Sequence, residues 1–397
     1  MKNKIFTFAV VSLVALSITS CQKETKLDPN DGKELIVTSF NNSKNNIIET
    51  VNGDFIGIDI KVDSSLDFVA NFLNNENEKT NIVDFSSIID IDLQANYNLA
   101  GLRLEKPTLE NSELFTQIIC KQTLNEVEDI QTSKTYQNGY QVAWLQQYND
   151  DIQTEHETLD EKEVNDYAVD ALKFLDSLED FFNGDVPEEI NSSEELKTIY
   201  ELAFRMDEIV KQYRNKEITS QEIVDKFYKT LGISKELVGE PINSLFVTIT
   251  ENLIKIDIST YFYYTQLESK KNIELSGSIN YESWLNAIKN EFENDKNNLD
   301  PESIYYESIV EFYDLFIKIL PSDVEYNLFA KINSNGQLTD FSYSGSLNGI
   351  IPEDITSLFV SISDSYPLEY QATYSGGLSF DVSKNKVEVV NTIPTQN

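Results

Sequence analysis

Histidine and cysteine are nearly absent from this chain of 397 residues, which has one histidine, His156, and two cysteines, Cys21 and Cys120. A zinc site built from several histidines is therefore excluded, and a nucleophile triad that needs a histidine would have to use His156. His156 lies in an acidic polar run, where a solvated surface histidine is expected. Cys120 follows two isoleucines and is predicted to be a buried strand residue.

The short motifs of the common enzyme classes are also missing. The sequence has no glycine loop that would hold a phosphate, no Gly-x-Ser-x-Gly, no Cys-x-x-Cys and no His-Glu-x-x-His. Two carboxylate pairs, Asp59 with Asp63 and Asp90 with Asp92, share strand faces and could bind calcium. They lack the glycine of a calcium loop, so solvated strand faces are favoured. We expect no metal site and no cofactor.

Positive charge is scarce as well, because 31 lysines and arginines face 67 aspartates and glutamates and the net charge is −36. A surface this acidic repels nucleic acid and anionic lipid headgroups, so neither is an expected partner. The length suffices for two or three domains with a substantial core.

The chain has one long apolar run, close to its beginning. It opens with Met-Lys-Asn-Lys, and an apolar segment follows over residues 5–16, too short to span a bilayer comfortably. This is the form of a secretory signal. Small residues then lead to a cysteine in the order Ile18, Thr19, Ser20, Cys21, which resembles the lipobox of bacterial lipoproteins.

The resemblance implies that the precursor is cut before Cys21 and that the Cys21 thiol carries a diacylglyceryl group. At least two acyl chains are needed for stable attachment, which this group supplies. Gln22 in place of an aspartate implies the outer membrane or cell surface in a Gram-negative host. Lys23-Glu24 loosely resembles surface-export signals of Bacteroidota lipoproteins. The alternative is an ordinary secretory signal, cut after residues 15–17.

The pattern of the chain predicts an α+β fold, with antiparallel β-sheets packed against amphipathic helices. The clearest strand alternates Ile56, Ile58, Ile60 and Val62 with polar residues or glycine. The predicted segments are a signal peptide at 1–20, the lipidated cysteine with a flexible tether at 21–33, a β-rich region at 34–148, a helical region at 149–240, and an α+β region with a C-terminal antiparallel sheet at 241–397. Asn-Gly pairs predict hairpin turns at 52–53, 138–139 and 335–336.

Helix starts are predicted from capping boxes, in which a Ser or Thr is followed three residues later by a Glu. These pairs are Thr158 with Glu161, Ser192 with Glu195, and Thr219 with Glu222. The strongest helix is predicted at 301–320, with a broad apolar face that includes Phe312. We expect this helix to pack across the C-terminal sheet. Any ligand groove would then lie where the helix leaves the sheet uncovered.

The function favoured by the sequence is a lipid-anchored, non-enzymatic module of the cell envelope that binds an envelope or extracellular ligand or partner. Long amphipathic strands backed by helices also resemble, in architecture, lipoproteins whose curved sheet carries apolar cargo. Tyr261 and Tyr263 could stack on sugar rings if they are exposed, or belong to the core if a helix covers them. A carboxylate-dependent hydrolase of glycosidase type and a purely structural surface lipoprotein are the alternatives.

Overall fold

The computed structural model describes residues 23–74, 78–183, 206–230, 240–269, 271–299, 301–302, 306–353, 356 and 366–390. Within these ranges twelve strands form one antiparallel sheet, in the order β1-β8-β9-β10-β11-β12-β2-β3-β4-β5-β6-β7. The strands are β1 (Lys23–Leu27), β2 (Phe55–Leu73), β3 (Lys79–Asn98), β4 (Glu113–Leu124), β5 (Val127–Asn138), β6 (Gln141–Tyr148), β7 (Asp151–Thr158), β8 (Phe262–Glu268), β9 (Asn272–Ile279), β10 (Asp323–Asn333), β11 (Leu338–Ile351) and β12 (Leu368–Ser383).

The predicted α+β fold class is therefore wrong, because the architecture is mostly β. The two regions predicted to be rich in strands belong to a single sheet. β12 pairs with β2 over sixteen positions, from Leu368 opposite Phe72 to Ser383 opposite Gly57. A local sequence pattern carries no information on which distant strands pair, so the sequence alone did not join these regions.

Eight helices accompany the sheet in the described ranges. They are α1 (Pro29–Val51), α2 (Leu99–Leu102), α3 (Glu161–Asn183), α4 (Met206–Arg214), α5 (Ser220–Thr230), α6 (Glu240–Lys255), α7 (Tyr281–Asn298) and α8 (Tyr306–Ile319). None of these helices is long and apolar enough to cross a membrane.

Helix α1 and strand β1 occupy residues predicted to be a flexible tether and the start of the β-rich region. The Asp28 carboxylate caps α1 by accepting hydrogen bonds from the backbone N–H groups of Asn30 and Asp31, at 2.9 and 3.0 Å, and Pro29 occupies the first turn. The buried side of α1 contains Ser39, Ser43 and Thr50 as well as apolar residues. Because these polar residues occupy buried positions, the sequence lacks the three-and-four spacing of apolar residues from which a helix is predicted.

Polar side chains of α1 fasten the helix to the ends of three strands. Asn42 Nδ2 donates to the Gly336 carbonyl, Ser43 Oγ to that of Leu338, and Asn46 Nδ2 to that of Val382, at 2.8–3.0 Å. These carbonyls lie at the β10–β11 turn and near the end of β12. Buried backbone groups that end a ladder are thus satisfied by the helix above them.

Helices α1 and α3 cover part of one face of the sheet and form the main core with it. We call this side the apolar face. Its buried strand residues include Ile56, Ile58, Ala95, Tyr97, Leu275, Ala330 and Ile332, and α3 contributes Val164, Ala168, Ala171 and Leu175. The opposite side, which we call the polar face, carries alternating Asp, Lys, Ser and Thr residues on β2, β11 and β12.

A second, smaller core joins α6, α7 and α8. Phe292 of α7 is fully buried, and its ring stacks on that of Tyr313 of α8 at 5.1 Å between centroids. Helix α8 contacts β11, whereas Leu328 and Phe341 of the hairpin pack against the core that includes α1. The apolar side of the hairpin is thus shared between α1 and the helices of the second core, so the predicted helix packs on the C-terminal sheet but does not cover it alone. The Phe312 side chain lies outside the described part of the structure.

Two of the three predicted Asn-Gly turns are confirmed. The turn at 335–336 joins β10 and β11, where Ala330 lies opposite Phe341 and Gly336 has a φ of 74°. The β5–β6 hairpin turns at Gly139, with a φ of 57°. The Asn-Gly pair at 52–53 ends α1 instead of forming a hairpin.

The capping boxes had mixed outcomes. The Thr219 N–H donates to Glu222 Oε2 at 2.7 Å, which confirms this box at the start of α5. Thr158 is the last residue of β7, and α3 is capped two residues later by Asp160 and Glu163. The pair Ser192 and Glu195 lies outside the described residues.

We predict that Gly32→Ala destabilises the protein, although alanine is normally better than glycine in a helix by about 1 kcal/mol. A Cβ atom at Gly32 would overlap the ring of Tyr264 on β8. Overpacking of this kind costs roughly 1–3 kcal/mol, measurable by denaturant unfolding. In a Tyr264→Ala background the same change should become neutral or stabilising. Stabilisation by Gly32→Ala in the unaltered protein would contradict the close contact.

We also predict that Tyr313 makes the second core sensitive to alkali. Burial raises the pKa of Tyr313 from 10 to about 12, and Asp295 and Glu251 add to the rise. The folded state favours the neutral phenol, so this contribution is complete below pH 10 and is lost as the pH rises towards 12. Tyr313→Phe should therefore lose less stability between these pH values than the unaltered protein. Tyr263→Phe, at an exposed side chain, is the control, and equal pH profiles for Tyr313→Phe and the unaltered protein would refute the prediction.

Candidate functional site

One row of directly paired residues crosses all twelve strands on the apolar face. From β1 to β7 it consists of Leu27, Tyr264, Gly277, Leu328, Tyr343, Gly376, Ser64, Ile89, Cys120, Gln131, Tyr148 and Asp151. Paired residues point to the same face, so this row describes one line across that face from edge to edge. Its one charged member is the last, at the edge of the sheet.

Tyrosine rings lie over glycines of neighbouring strands in the middle of this face. A Cβ atom added at Gly376 would lie 2.6 Å from the hydroxyl oxygen of Tyr343, and one at Gly345 would lie 2.6 Å from that of Tyr374. Because glycine has no side chain, each tyrosine ring can lie directly on the backbone of the neighbouring strand. The contact of the ring with the glycine also compensates for the weak strand propensity of glycine.

Tyr343 and Tyr374 form a cluster with Tyr326, with centroids 6.2–6.4 Å apart. Burial raises the pKa of Tyr326 and of Tyr374 above the usual tyrosine value. These two phenols are therefore uncharged at neutral pH. The cluster provides an aromatic surface on the apolar face, in which the Tyr374 ring is tilted by 39° and 42° against the other two rings.

Beside this cluster, the helices leave three large apolar side chains accessible on adjacent strands. Leu66 of β2 is 40 % exposed, Ile89 of β3 is 38 % exposed and Ile118 of β4 is 43 % exposed. They are diagonal neighbours in the register, and Leu66 is paired directly with Tyr374. We call these three residues the apolar patch. Large contiguous areas of exposed apolar surface mark binding sites, which makes this patch a candidate for one.

A cavity of about 460 Å³ continues from the patch over β4 to β7. Ile118 and Cys120 line the end near the patch, and Cys120 is a free, half-buried thiol. The rest of the lining is mostly uncharged and polar: Gln131, Thr132, Ser133, Gln146, Gln147, Tyr148 and Gln153, with Asp151 at the edge. The surface as a whole is thus apolar at one end and rich in amide groups at the other.

A groove of about 520 Å³ on the polar face contains one of the two predicted stacking residues. Tyr263 is 60 % exposed there, and its hydroxyl oxygen accepts a hydrogen bond from Asn280 Nδ2 at 2.8 Å. Tyr261 ends a 3₁₀ turn, is half-buried and does not line this groove. Hydroxyl and amide groups surround the Tyr263 ring, namely Thr265, Ser276, Ser278, Asn327, Ser342, Ser344 and Ser375, with Phe329 and Asp63. An exposed ring among such groups can stack on a sugar ring.

The four aspartates considered for calcium all lie on the polar face, where Asp63 pairs with Asp90 and Lys61 pairs with Asp92. Burial raises the pKa of Asp92, although Lys61 nearby acts to lower it. Across the described ranges, no group of three or more His, Cys, Asp or Glu side chains is placed to hold a metal ion. The residues of the lipobox, Ile18 to Cys21, lie outside these ranges.

No known protein-family model matches this chain, and no curated protein is significantly similar to it in sequence. The function must therefore be argued from the residues themselves.

Proposed function

We propose that this chain is a lipid-anchored protein of the cell envelope, attached through Cys21, that binds an amphiphilic ligand on its apolar face and is not an enzyme. The observation that carries the proposal is the apolar patch of Leu66, Ile89 and Ile118, left uncovered next to a glutamine-rich cavity. The anchor is supported by the basic start, the short apolar run and the lipobox resemblance of the sequence. The expected location is outside the cytoplasm, at the outer membrane or cell surface of a Gram-negative host.

The patch fits an alkyl chain. It spans three adjacent strands, and strands lie about 4.8 Å apart, so a chain lying across them would cover roughly 10 Å. Each methylene group moved from water onto apolar surface gains up to about 0.8 kcal/mol. The row from β1 to β6 contains no charged residue, and the nearest carboxylate on this face, Asp129, lies beyond the patch on β5, in the row that contains Leu66.

The cavity indicates the nature of the polar end of the ligand. Gln131, Gln146 and Gln153 each offer both hydrogen-bond donors and acceptors without carrying charge. Asp151 at the edge and the net charge of −36 would repel an anionic group. A neutral head group, such as a hydroxyl, an ester or a sugar, therefore fits better than a phosphate.

The groove around Tyr263 is a second candidate surface, because this ring is exposed beside a row of hydroxyl groups. It supports a sugar-binding role of the same anchored protein. A hydrolase of glycosidase type would need two carboxylates facing each other across the groove. Among the described residues that line the groove, Asp63 supplies one carboxylate.

We predict that Ile89→Asp weakens binding of a neutral fluorescent acyl probe, such as a labelled monoacylglycerol, by at least tenfold. A carboxylate in the patch would have to be desolvated by the alkyl chain, which is costly. Ile88→Asp is the matched control, because Ile88 is the adjacent residue, is equally exposed at 38 %, and lies on the polar face. Binding is measured by titration of the mature chain carrying Cys21→Ser, so that its own lipid cannot compete.

Equal loss in both isoleucine variants, or loss in neither, would rule out the patch as the binding surface. Tyr263→Ala separates the two candidate surfaces. It should leave the acyl probe unaffected and would weaken a sugar ligand if the groove binds one.

We further predict that Cys21→Ser transfers the protein from the membrane fraction to the soluble fraction of its host. The serine hydroxyl cannot receive the diacylglyceryl group, so the anchor is lost. Cys120→Ser removes the other thiol and should leave the protein in the membrane fraction. A Cys21→Ser protein that stays with the membranes would show that the anchor is placed elsewhere.

A further inference from the structure

Strand β1 begins two residues after Cys21 and is part of the sheet from its first described residue. It pairs with β8 from Lys23 opposite Glu268 to Leu27 opposite Tyr264. Two residues of extended chain reach at most about 7 Å. If Cys21 carries the lipid, the edge of the sheet must lie within this distance of Cys21.

The connection cannot lengthen easily, because β1 is fixed at its far end. Leu27 packs against the main core, and the next residue, Asp28, caps α1. Gly32, in the first turns of α1, touches the ring of Tyr264 on β8. Peeling β1 from the sheet would expose Leu27, break the backbone pairing with β8 and pull on the helix cap.

The pairing register also identifies the corner of the sheet that lies nearest to the anchor. Lys23 is opposite Glu268, the last residue of β8, so the β8–β9 turn lies beside it. Lys26 and Lys271 are exposed at this corner, and so are Glu24 and Glu268. With Lys23, three lysines accompany two glutamates at this corner, whereas the chain as a whole carries −36. The corner therefore lacks the excess negative charge that would repel a lipid surface.

We propose that the bilayer contacts this corner, formed by β1 and the β8–β9 turn, so that the sheet is held at the membrane in one orientation. The inference rests on the proposed lipidation of Cys21. The opposite ends of the same strands, where β9 leads into α7, lie away from the bilayer. Strand β9 has eight residues, so Glu282 at the start of α7 lies roughly 30 Å from Lys271 along the strand direction.

The test uses the lipidated full-length mature protein in phosphatidylcholine vesicles that contain a quencher-labelled lipid. A single fluorophore is placed through Lys271→Cys or Glu282→Cys, in a Cys120→Ser background. Both native side chains are exposed, so the two labelling sites are matched. We expect quenching at position 271 to exceed that at position 282 by at least threefold.

A second variant carries twenty glycine and serine residues between Gln22 and Lys23, which gives a root-mean-square reach of roughly 25 Å. We expect the difference between the two positions to fall to less than half. Equal quenching at the two positions in the original protein, or an undiminished difference with the linker, would overturn the proposal. Failure of the anchor itself is distinguishable, because the protein would then not float with the vesicles in a density gradient.

Discussion

The pairing of β12 with β2 is the interaction on which the rest of the structure depends. It joins strands that lie about three hundred residues apart and continues over sixteen positions. Residues opposite each other share a face, so this register places Val382 beside Ile58 and Ala372 beside Phe68. Both halves of the chain thereby contribute to one apolar face. One helix pair, α1 and α3, can then cover residues from both halves as a single core.

The elements that the sequence predicted well are those determined by neighbouring residues. The alternation at Ile56 to Val62 and the Asn-Gly turn of the β10–β11 hairpin are local signals, and both are found in the structure. Helix α1 was missed because Ser39, Ser43 and Thr50 occupy its buried side, where they bond to carbonyl groups instead of forming an apolar stripe. Its local signal was the cap Asp28 followed by Pro29.

The candidate site was predictable only in part, for a related reason. Tyr263 could be named from the sequence as an aromatic residue able to stack on a sugar ring, but whether a helix covers it could not be predicted. The patch residues could not be recognised, because Ile88 and Ile89 are adjacent and chemically identical. Register alone places Ile89 on the apolar face, and the extent of the helices that cover this face decides that this part of it stays open. Coverage by helices is a property of the whole fold.

The acidity of the chain gains a physical role from this arrangement. An uncovered apolar patch and two open sheet edges would normally favour association between copies. Edge strand β7 carries exposed carboxylates at Asp151, Glu155 and Glu157, which oppose pairing with another strand. Two copies that each carry a charge of −36 also repel each other, whereas a small neutral ligand meets no such barrier. On the proposed function, these carboxylates would oppose association of two copies through the apolar patch, whereas a small neutral ligand would still reach it.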